Sequence, residues 1–307
     1  MYHFIVNPKS RTGKGNAIWN VVKQELDILK VSYSFHLTRY KFHATEIAKE
    51  ICEQYPGVKN IVILGGDGTV NEVINGITCY DEVILGYIPS GSSNDLARSL
   101  KIPTDPIIGL QHILSPSEFK YVDTGLIYMK DSDFQRKFAV STGVGFDAAI
   151  CEEVLKSNLK KTLNKIGLGK LTYILVALKQ LLSTPFMDGE FIIDGVLTRS
   201  YKQILLITGM IHKYEGGGMR IVPTASPFDG KLSVCIVHGL SKLRLLSILP
   251  TLLVGKHTRF KGVEIFDCQT LSIHLHKPVA VHVDGECPGY FQYLEASCTA
   301  KQLRIII

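Results

Sequence analysis

In the first third of the chain the apolar residues alternate between short continuous runs and stretches where they recur three or four positions apart. Tyr2 to Val6, Tyr33 to Thr38, Ile61 to Leu64 and Val83 to Ile88 are the runs, and helical patterns follow from Gly15, His43, Val70 and Asn94. Strands that are largely apolar, as in Ile61–Leu64 and Val83–Ile88, suit a sheet covered on both sides, and their alternation with helices predicts a parallel α/β domain. Three polar turns follow strands: Asn7-Pro8-Lys9-Ser10, Gly65-Gly66-Asp67-Gly68-Thr69, and Pro89 to Asp95. Ligands of such sheets bind beyond the carboxyl ends of the strands, so the turns are expected to converge on one site.

From about Lys120 the pattern becomes strands separated by turn signals, which predicts a second, mainly antiparallel β domain. Asp194-Gly195 between Glu190–Ile193 and Val196–Arg199 suits a two-residue hairpin. Lys231–Val237, Thr270–His276 and Val279–Val283 read as further strands, and Leu171–Leu182 and Leu243–Val254 as helical insertions. The boundaries expected are 1–125 for the α/β domain and 126–295 for the β-rich sandwich domain. Residues 296–307 end in a strand whose sheet the pattern does not assign.

The stretch IVILGGDGTVNEVINGI, Ile61 to Ile77, carries the most chemical information. Glycines let phosphates approach the backbone, and a following helix N-terminus offers N–H groups to anions. A tight turn that binds nothing fits the glycines equally. Asp67 changes the balance, because a carboxylate inside a phosphate loop repels phosphate unless a cation bridges them. It therefore points to a metal–nucleotide or to a catalytic carboxylate.

A chain of 307 residues is long enough for two cores. Its formal charge of +6 suits anionic partners such as nucleotides or an acidic membrane surface, and equally plain solubility, and does not imply nucleic acid. Seven scattered cysteines without CxxC spacing read as reduced thiols of a cytoplasmic protein. The opening MYHFIVNPKS has no basic leader before a long apolar region, so no signal peptide is expected. The longest apolar segments are interrupted by lysine, glutamine, serine or proline, so no transmembrane helix is expected.

Other motifs have two readings each. Thr38 suits contact with a nucleotide base or sugar, or a helix cap, and Ser92-Ser93-Asn94-Asp95 suits phosphate contact, or capping of a helix near Leu96. Thr12-Gly13-Lys14-Gly15 lacks the spacing of a P-loop. Asp229, on a Gly-containing turn before a strand, suits a hard cation, though metal-free Asp-Gly turns are commoner. In Val281-His282-Val283-Asp284-Gly285-Glu286, alternation places His282 and Asp284 on one face, with Glu286 swung by Gly285 toward a cleft as a general base. His274, His276 and His282 read as surface or sheet-packing residues, without zinc spacing. Lys156 to Lys170 followed by Leu171–Leu182 suits a membrane-surface helix, or a buried helix after a solvated loop.

In order along the chain, NPKS, GGDGTVNEVINGI, PSGSSNDLARSL, STGVGFDAAI, GGGMRIVP, FDGKL and HVDGE resemble the diacylglycerol kinase catalytic family, which includes bacterial diacylglycerol kinases, YegS-like lipid kinases and sphingosine and ceramide kinases. The resemblance implies an NAD kinase/diacylglycerol kinase-like α/β nucleotide-binding domain, a β-rich lipid-substrate domain, and an ATP- and Mg2+-dependent kinase acting on a lipid hydroxyl. On that resemblance the nucleotide contacts are Asn7, Pro8, Lys9, Ser10, Arg11, Thr38, Gly65, Gly66, Asp67, Gly68, Thr69, Val70, Asn71 and Ser92. Asp229 becomes the side-chain ligand of a structural Mg2+ beside the carbonyls of Ser226 and Lys231, with Asp67 and Asp95 in the linked network. Glu286 becomes the proton acceptor supported by Asp284, with Asp67 as the rival base. The family usually has glycine where Arg11 stands and threonine where Ser92 stands.

Diacylglycerol is the default acceptor, with long-chain bases, ceramide, monoacylglycerol, phosphatidylglycerol and polyprenol open. A soluble-substrate kinase of the NAD kinase type and a non-catalytic lipid- or nucleotide-binding protein are the rival readings. Membrane contact is expected to be peripheral and transient, at the inner face. Oligomeric state stays open, the homodimer being the commonest assembly.

Overall fold

The computed structural model describes residues 1–156 and 169–307, with backbone alone at Thr12, 155–156 and 169–175. The lysine-rich stretch Lys156–Lys170 falls largely outside the described residues. Two compact units are present: Met1–Thr124 with Ala300–Ile307, and Gly125–Thr299.

In the first unit β1 (Tyr2–Val6), α1 (Ser10–Ile28), β2 (Tyr33–Leu37), α2 (His43–Gln54), β3 (Lys59–Gly65), α3 (Asp67–Gly76), β4 (Val83–Pro89), α4 (Asp95–Leu100) and α5 (Pro106–Leu114) follow one another. The sheet order is β2, β1, β3, β4, and every pair is parallel. Phe4, Val6, Val62, Leu64 and Ile88 are buried with Trp19, Val22 and Leu26 of α1 and Leu110 and Ile113 of α5. Helix α2 buries Ala44, Ile47, Ala48 and Ile51, a spacing of three and four that gives one apolar stripe. Gly76 lies so close to α2 that a Cβ there would stand 2.2 Å from the Thr45 carbonyl oxygen.

Two helices begin earlier than the apolar pattern indicates. Helix α1 starts at Ser10 instead of Gly15, and α3 at Asp67 instead of Val70. Their first turns are polar or glycine-containing because their backbone faces the loops, and apolar periodicity is silent there. The loop after β3 thus shrinks to Gly66, with Asp67 already in the first turn of α3.

The second unit begins within β5 (Phe119–Met129) and continues with β6 (Phe134–Phe138), β7 (Ser141–Gly145), α6 (Phe146–Lys156), α7 (Gly169–Ser183), β8 (Met187–Ile193), β9 (Leu197–Met210), β10 (Leu232–His238), α8 (Lys242–Ile248), β11 (Val263–Cys268), β12 (Thr270–Val283) and β13 (Glu286–Ile306). Strands β11, β10, β9, β7, β12 and β13 pair antiparallel in that order, and β8 bridges β9 and β12. One face is packed by Phe138, Phe191, Ile207, Val234, Leu271 and Val281. A separate cluster joins Phe146 and Leu181 to Leu245 and Ile248 of α8.

The segments Thr270–His276 and Val279–Val283 are one strand, with a register shift between His274 and Val279 around Pro278, which has no N–H to donate. After Asp194 and Gly195, both at positive φ, Val196 intervenes before Leu197 pairs with Ile193, so the hairpin holds one residue more than expected. The helical pattern Leu243–Val254 divides into α8 and a 3-10 turn, Leu249–Val254, at Pro250. The end of β13 returns to the first unit, where Arg304 and Ile305 pair in parallel with Ile84 and Leu85 of β4. No helix among the described residues is long and apolar enough to cross a membrane.

Candidate functional site

Because β1 to β4 run parallel, the turns that follow them lie on one edge of the sheet, and hydrogen bonds join them. Asn7 Nδ2 donates to Thr69 Oγ1 (3.1 Å), the Ser10 and Ser90 hydroxyls meet at 2.7 Å, and Ser90 N–H donates to the Gly65 carbonyl (2.7 Å). Lys9 Nζ donates to the Arg39 carbonyl (3.3 Å), and Thr38 N–H to the Val6 carbonyl (2.8 Å), which attaches the turn after β2. Gly66 and Gly91 are in backbone contact: a Cβ on Gly91 would stand 2.6 Å from Gly66 Cα. A Cβ on Gly65 would collide with Thr69 at 2.5 Å. These glycines are required by the crossing of two loops, whatever the site binds.

Asn7 to Arg11, Thr38, Gly65 to Asn71 and Ser90 to Asp95 are therefore neighbours, but they are not equally accessible. Val70 and Asn71 are 2% and 0% exposed, so their side chains face the interior. The Thr69 and Val70 N–H groups donate to the Gly66 carbonyl, whereas Ser92 is exposed. Arg11 takes φ +47°, the left-handed region that glycine occupies without strain.

Asp67 is committed to the protein itself. Its two carboxylate oxygens accept from Asp95 N–H (3.0 Å) and Leu96 N–H (3.2 Å), capping α4 from across the site. Ser92 and Ser93 do not perform this task, and Asn94 instead folds its own turn through Gly91.

In the second unit Asp284 and Gly285 form a two-residue hairpin at φ +47° and +81°, closing Val283 against Glu286. The strand ends at Val283, and the Asp284 carboxylate acts on the His282 ring from the turn. The Asp284 carboxylate accepts from the backbone N–H groups of Ala139 (2.7 Å), Val140 (2.9 Å) and Ser141 (2.9 Å). Glu286, partly buried, is the first residue of β13.

His282 is fully buried, with Nε2 2.8 Å from Asp147 and 3.2 Å from Glu215. Ser141 Oγ donates to Glu215 at 2.6 Å, and Gly285 N–H donates to His282 Nδ1 at 3.3 Å. Burial alone would lower the pKa of this imidazole, but Asp147 and Glu215, with a smaller contribution from Asp284, raise it to about 9. A second proton on Nδ1 displaces the long Gly285 bond, so the ring's charge and the Asp284-Gly285 turn are linked. Gly143 makes room for the pair, since a Cβ there would lie 2.3 Å from Nε2. Asp147, Cys151 and His282 have donor atoms within 4.8 Å of one another. The Nε2 proton nonetheless sits between two carboxylates, which is the arrangement of an ion-paired imidazolium rather than of a metal ligand. His274 stacks on Tyr293 and His276 is exposed, so the three histidines do not meet.

Asp147 and Glu215 were not singled out in sequence. Their signal lies in STGVGFDAAI, where Asp147 follows Gly143 and Gly145 in chain that packs too closely for a Cβ, and in the acid before the positive-φ glycines Gly216-Gly217-Gly218. Asp229 is exposed on the turn before β10, with Oδ1 accepting from Lys231 N–H (3.1 Å). A carboxylate oxygen on an exposed turn is a donor of the kind a hard cation takes. Asp67 and Asp95 belong to the first unit and Asp229 to the second. The second unit also contains an open cavity of ≈ 270 Å³, lined by apolar residues such as Phe186, Met187 and Val279 and by polar ones such as Glu152, Glu153 and Lys277.

Residues 1–127 match the diacylglycerol kinase catalytic domain, and residues 140–307 the YegS C-terminal NAD kinase beta sandwich-like domain. The YtlR protein of Bacillus subtilis strain 168, a lipid kinase by provisional name, is 28% identical over 308 residues, covering 99% of this chain and 98% of its own. A Bacillus subtilis diacylglycerol kinase is 25% identical over 87% of this chain and 84% of its own. Among solved structures, a Bacillus anthracis protein provisionally named a diacylglycerol kinase superposes with a TM-score of 0.76 at 20% identity, over 99% of this chain and 96% of that one. Yeast NADH kinase does so at 0.55 and 11% identity, over 99% and 82%, which shows shared fold.

Proposed function

Since this chain belongs to the diacylglycerol kinase catalytic-domain family and is a lipid kinase, we propose that it transfers the γ-phosphate of ATP to the hydroxyl of diacylglycerol, giving phosphatidic acid. The observation that carries the nucleotide assignment is the crossing of Gly66 and Gly91 above the strand ends, with Asn7, Ser10, Thr69 and Ser90 bonded around it. Bare glycine backbone beside a helix N-terminus is suited to phosphate oxygens. In this reading Lys9 and Arg11 add positive charge, and Thr38 reaches the base or sugar.

Phosphoryl transfer needs positioning, charge neutralisation and one base near the acceptor hydroxyl. Glu286 is the proposed base. Asp67 is the weaker candidate, because both its oxygens already hold the start of α4. Asp284 acts as a positioning residue, tying the turn before Glu286 to residues 139–141. Mg2+ would be held by Asp229 with the carbonyls of Ser226 and Lys231, and would supply charge neutralisation to the phosphates. In this reading the apolar part of the second unit's cavity, at Phe186, Met187 and Val279, takes part of an acyl chain. The site of action in this reading is the inner membrane surface, reached from the cytoplasm.

The test is incubation with labelled ATP, Mg2+ and a mixed lipid extract in micelles, with products identified by mass. Labelled phosphatidic acid is expected, and Glu286→Gln is expected to lower turnover by roughly 10²–10⁴-fold, the range of a general base. Near-wild-type turnover in that variant would overturn the assignment of Glu286.

A further inference from the structure

The basic residues are distributed unevenly. Between Gly230 and Val263 stand Lys231, Lys242, Arg244, Lys256, Arg259 and Lys261, six bases with no acid among them. The whole chain has 34 basic and 28 acidic residues, so removing those six leaves 28 of each. The formal charge of +6 thus resides in this one segment.

The same segment exposes apolar side chains. Helix α8 turns Leu245 and Ile248 into the core and leaves Leu243 80% exposed. Pro250 then converts the helix into a 3-10 turn that ends in Leu253 and Val254, 63% and 56% exposed. Gly255, at φ +71°, reverses the chain, and Lys256, Arg259 and Lys261 follow, all exposed. His257 is buried and holds the return, with Nε2 2.8 Å from the Ile221 carbonyl oxygen, and Arg220 N–H donates to the Leu252 carbonyl (2.9 Å). Among the described residues, none of Arg244, Lys256, Arg259 and Lys261 is held in an ion pair.

Single exposed leucines are ordinary on a soluble protein. Two adjacent exposed aliphatic side chains on an anchored turn, followed closely by unpaired cations, are the combination by which a peripheral protein holds a bilayer: shallow apolar insertion plus attraction to anionic headgroups. We infer that Leu253 and Val254, with Arg244, Lys256, Arg259 and Lys261, form a docking surface for an anionic lipid bilayer. The occupant is a membrane rather than a nucleic acid, because the large exposed side chains between the bases, Leu243, Leu253 and Val254, are aliphatic, and the one phenylalanine, Phe260, is half-buried against the core cluster. The inference deepens the lipid-kinase reading and rests on it for its purpose, but its chemistry is independent of phosphoryl transfer.

The experiment is flotation of the full chain, without ATP, with vesicles of phosphatidylcholine alone or of phosphatidylcholine with phosphatidylglycerol. Wild-type protein is expected to float with the anionic vesicles, to stay unbound with the neutral ones, and to be released by high salt, which screens surface charge. Each basic contact is worth about fivefold in partitioning, so K256Q/R259Q/K261Q is expected to bind on the order of a hundredfold more weakly. L253S/V254S is expected to lose about tenfold or more. Both variants should phosphorylate detergent-dispersed short-chain diacylglycerol as the wild type does, which shows that they are folded. Equal flotation of wild type and variants, equal binding to neutral vesicles, or binding to single-stranded oligonucleotide in place of vesicles overturns the inference. If flotation behaves as expected while no lipid is phosphorylated, the docking surface stands and the kinase reading fails.

Discussion

Arg11 shows how one side chain departs from what its backbone asks of it. A non-glycine residue at φ +47° carries roughly 1–2 kcal/mol of strain. Arg11→Gly is therefore expected to keep or raise thermal stability, by about 1 kcal/mol at most once the greater freedom of unfolded glycine is counted. If the guanidinium reaches the nucleotide phosphates, the same variant raises KM for ATP, and the two readouts separate strain from function. His282 makes a second residue-scale prediction. Its pKa is raised in the folded state, so its stabilising contribution is complete below the unfolded value of about 6.5 and is lost as pH climbs through about 9. Wild-type unfolding free energy should decline by up to about 3 kcal/mol between pH 7 and 10 on this account. His282→Gln should be less stable at pH 7 and show a flatter decline, as denaturant titrations at several pH values would reveal. The pattern in HVDGE made Asp284 and Glu286 legible as carboxylates at a strand end. It did not reveal that Asp284 bonds residues 139–141, because those partners lie more than a hundred positions away.

At the scale of elements, glycine turns and apolar runs were readable because they reflect local backbone freedom and burial. Helix starts were read late wherever the first turn is polar and faces a loop, as at Ser10 and Asp67. Helix α4 is the clearest instance of a non-local element. It is six residues long, too short to persist alone, and its N-terminus is capped by Asp67 from the first turn of α3. Asp67→Asn leaves one acceptor oxygen for two N–H donors. A loss of about 1–2 kcal/mol is expected, with faster amide exchange at Asp95 and Leu96. Unchanged exchange at those two amides would mean that Asp67 does not hold the helix.

At the scale of the whole molecule, the last eight residues fold with the first unit although the earlier part of the same strand, β13, belongs to the second. Leu303, Ile305 and Ile306 are buried, Arg304 and Ile305 pair with β4, and Lys301 N–H donates to Asp123. Truncation after Ala300 removes these contacts and is expected to destabilise the first unit by several kcal/mol, lowering its melting temperature and abolishing nucleotide-induced stabilisation. An unchanged melting curve would contradict that pairing. The amino-acid sequence by itself determined the alternation of strands and helices, the glycine turns and the kinds of group available, because these follow from periodicity, backbone freedom and side-chain chemistry within a few residues. Tertiary structure alone decided that Asp67 caps α4, that His282 is enclosed by Asp147 and Glu215, and that the terminal strand joins β4. Each of those contacts links positions far apart in the chain, and only the packed fold brings them within hydrogen-bonding distance.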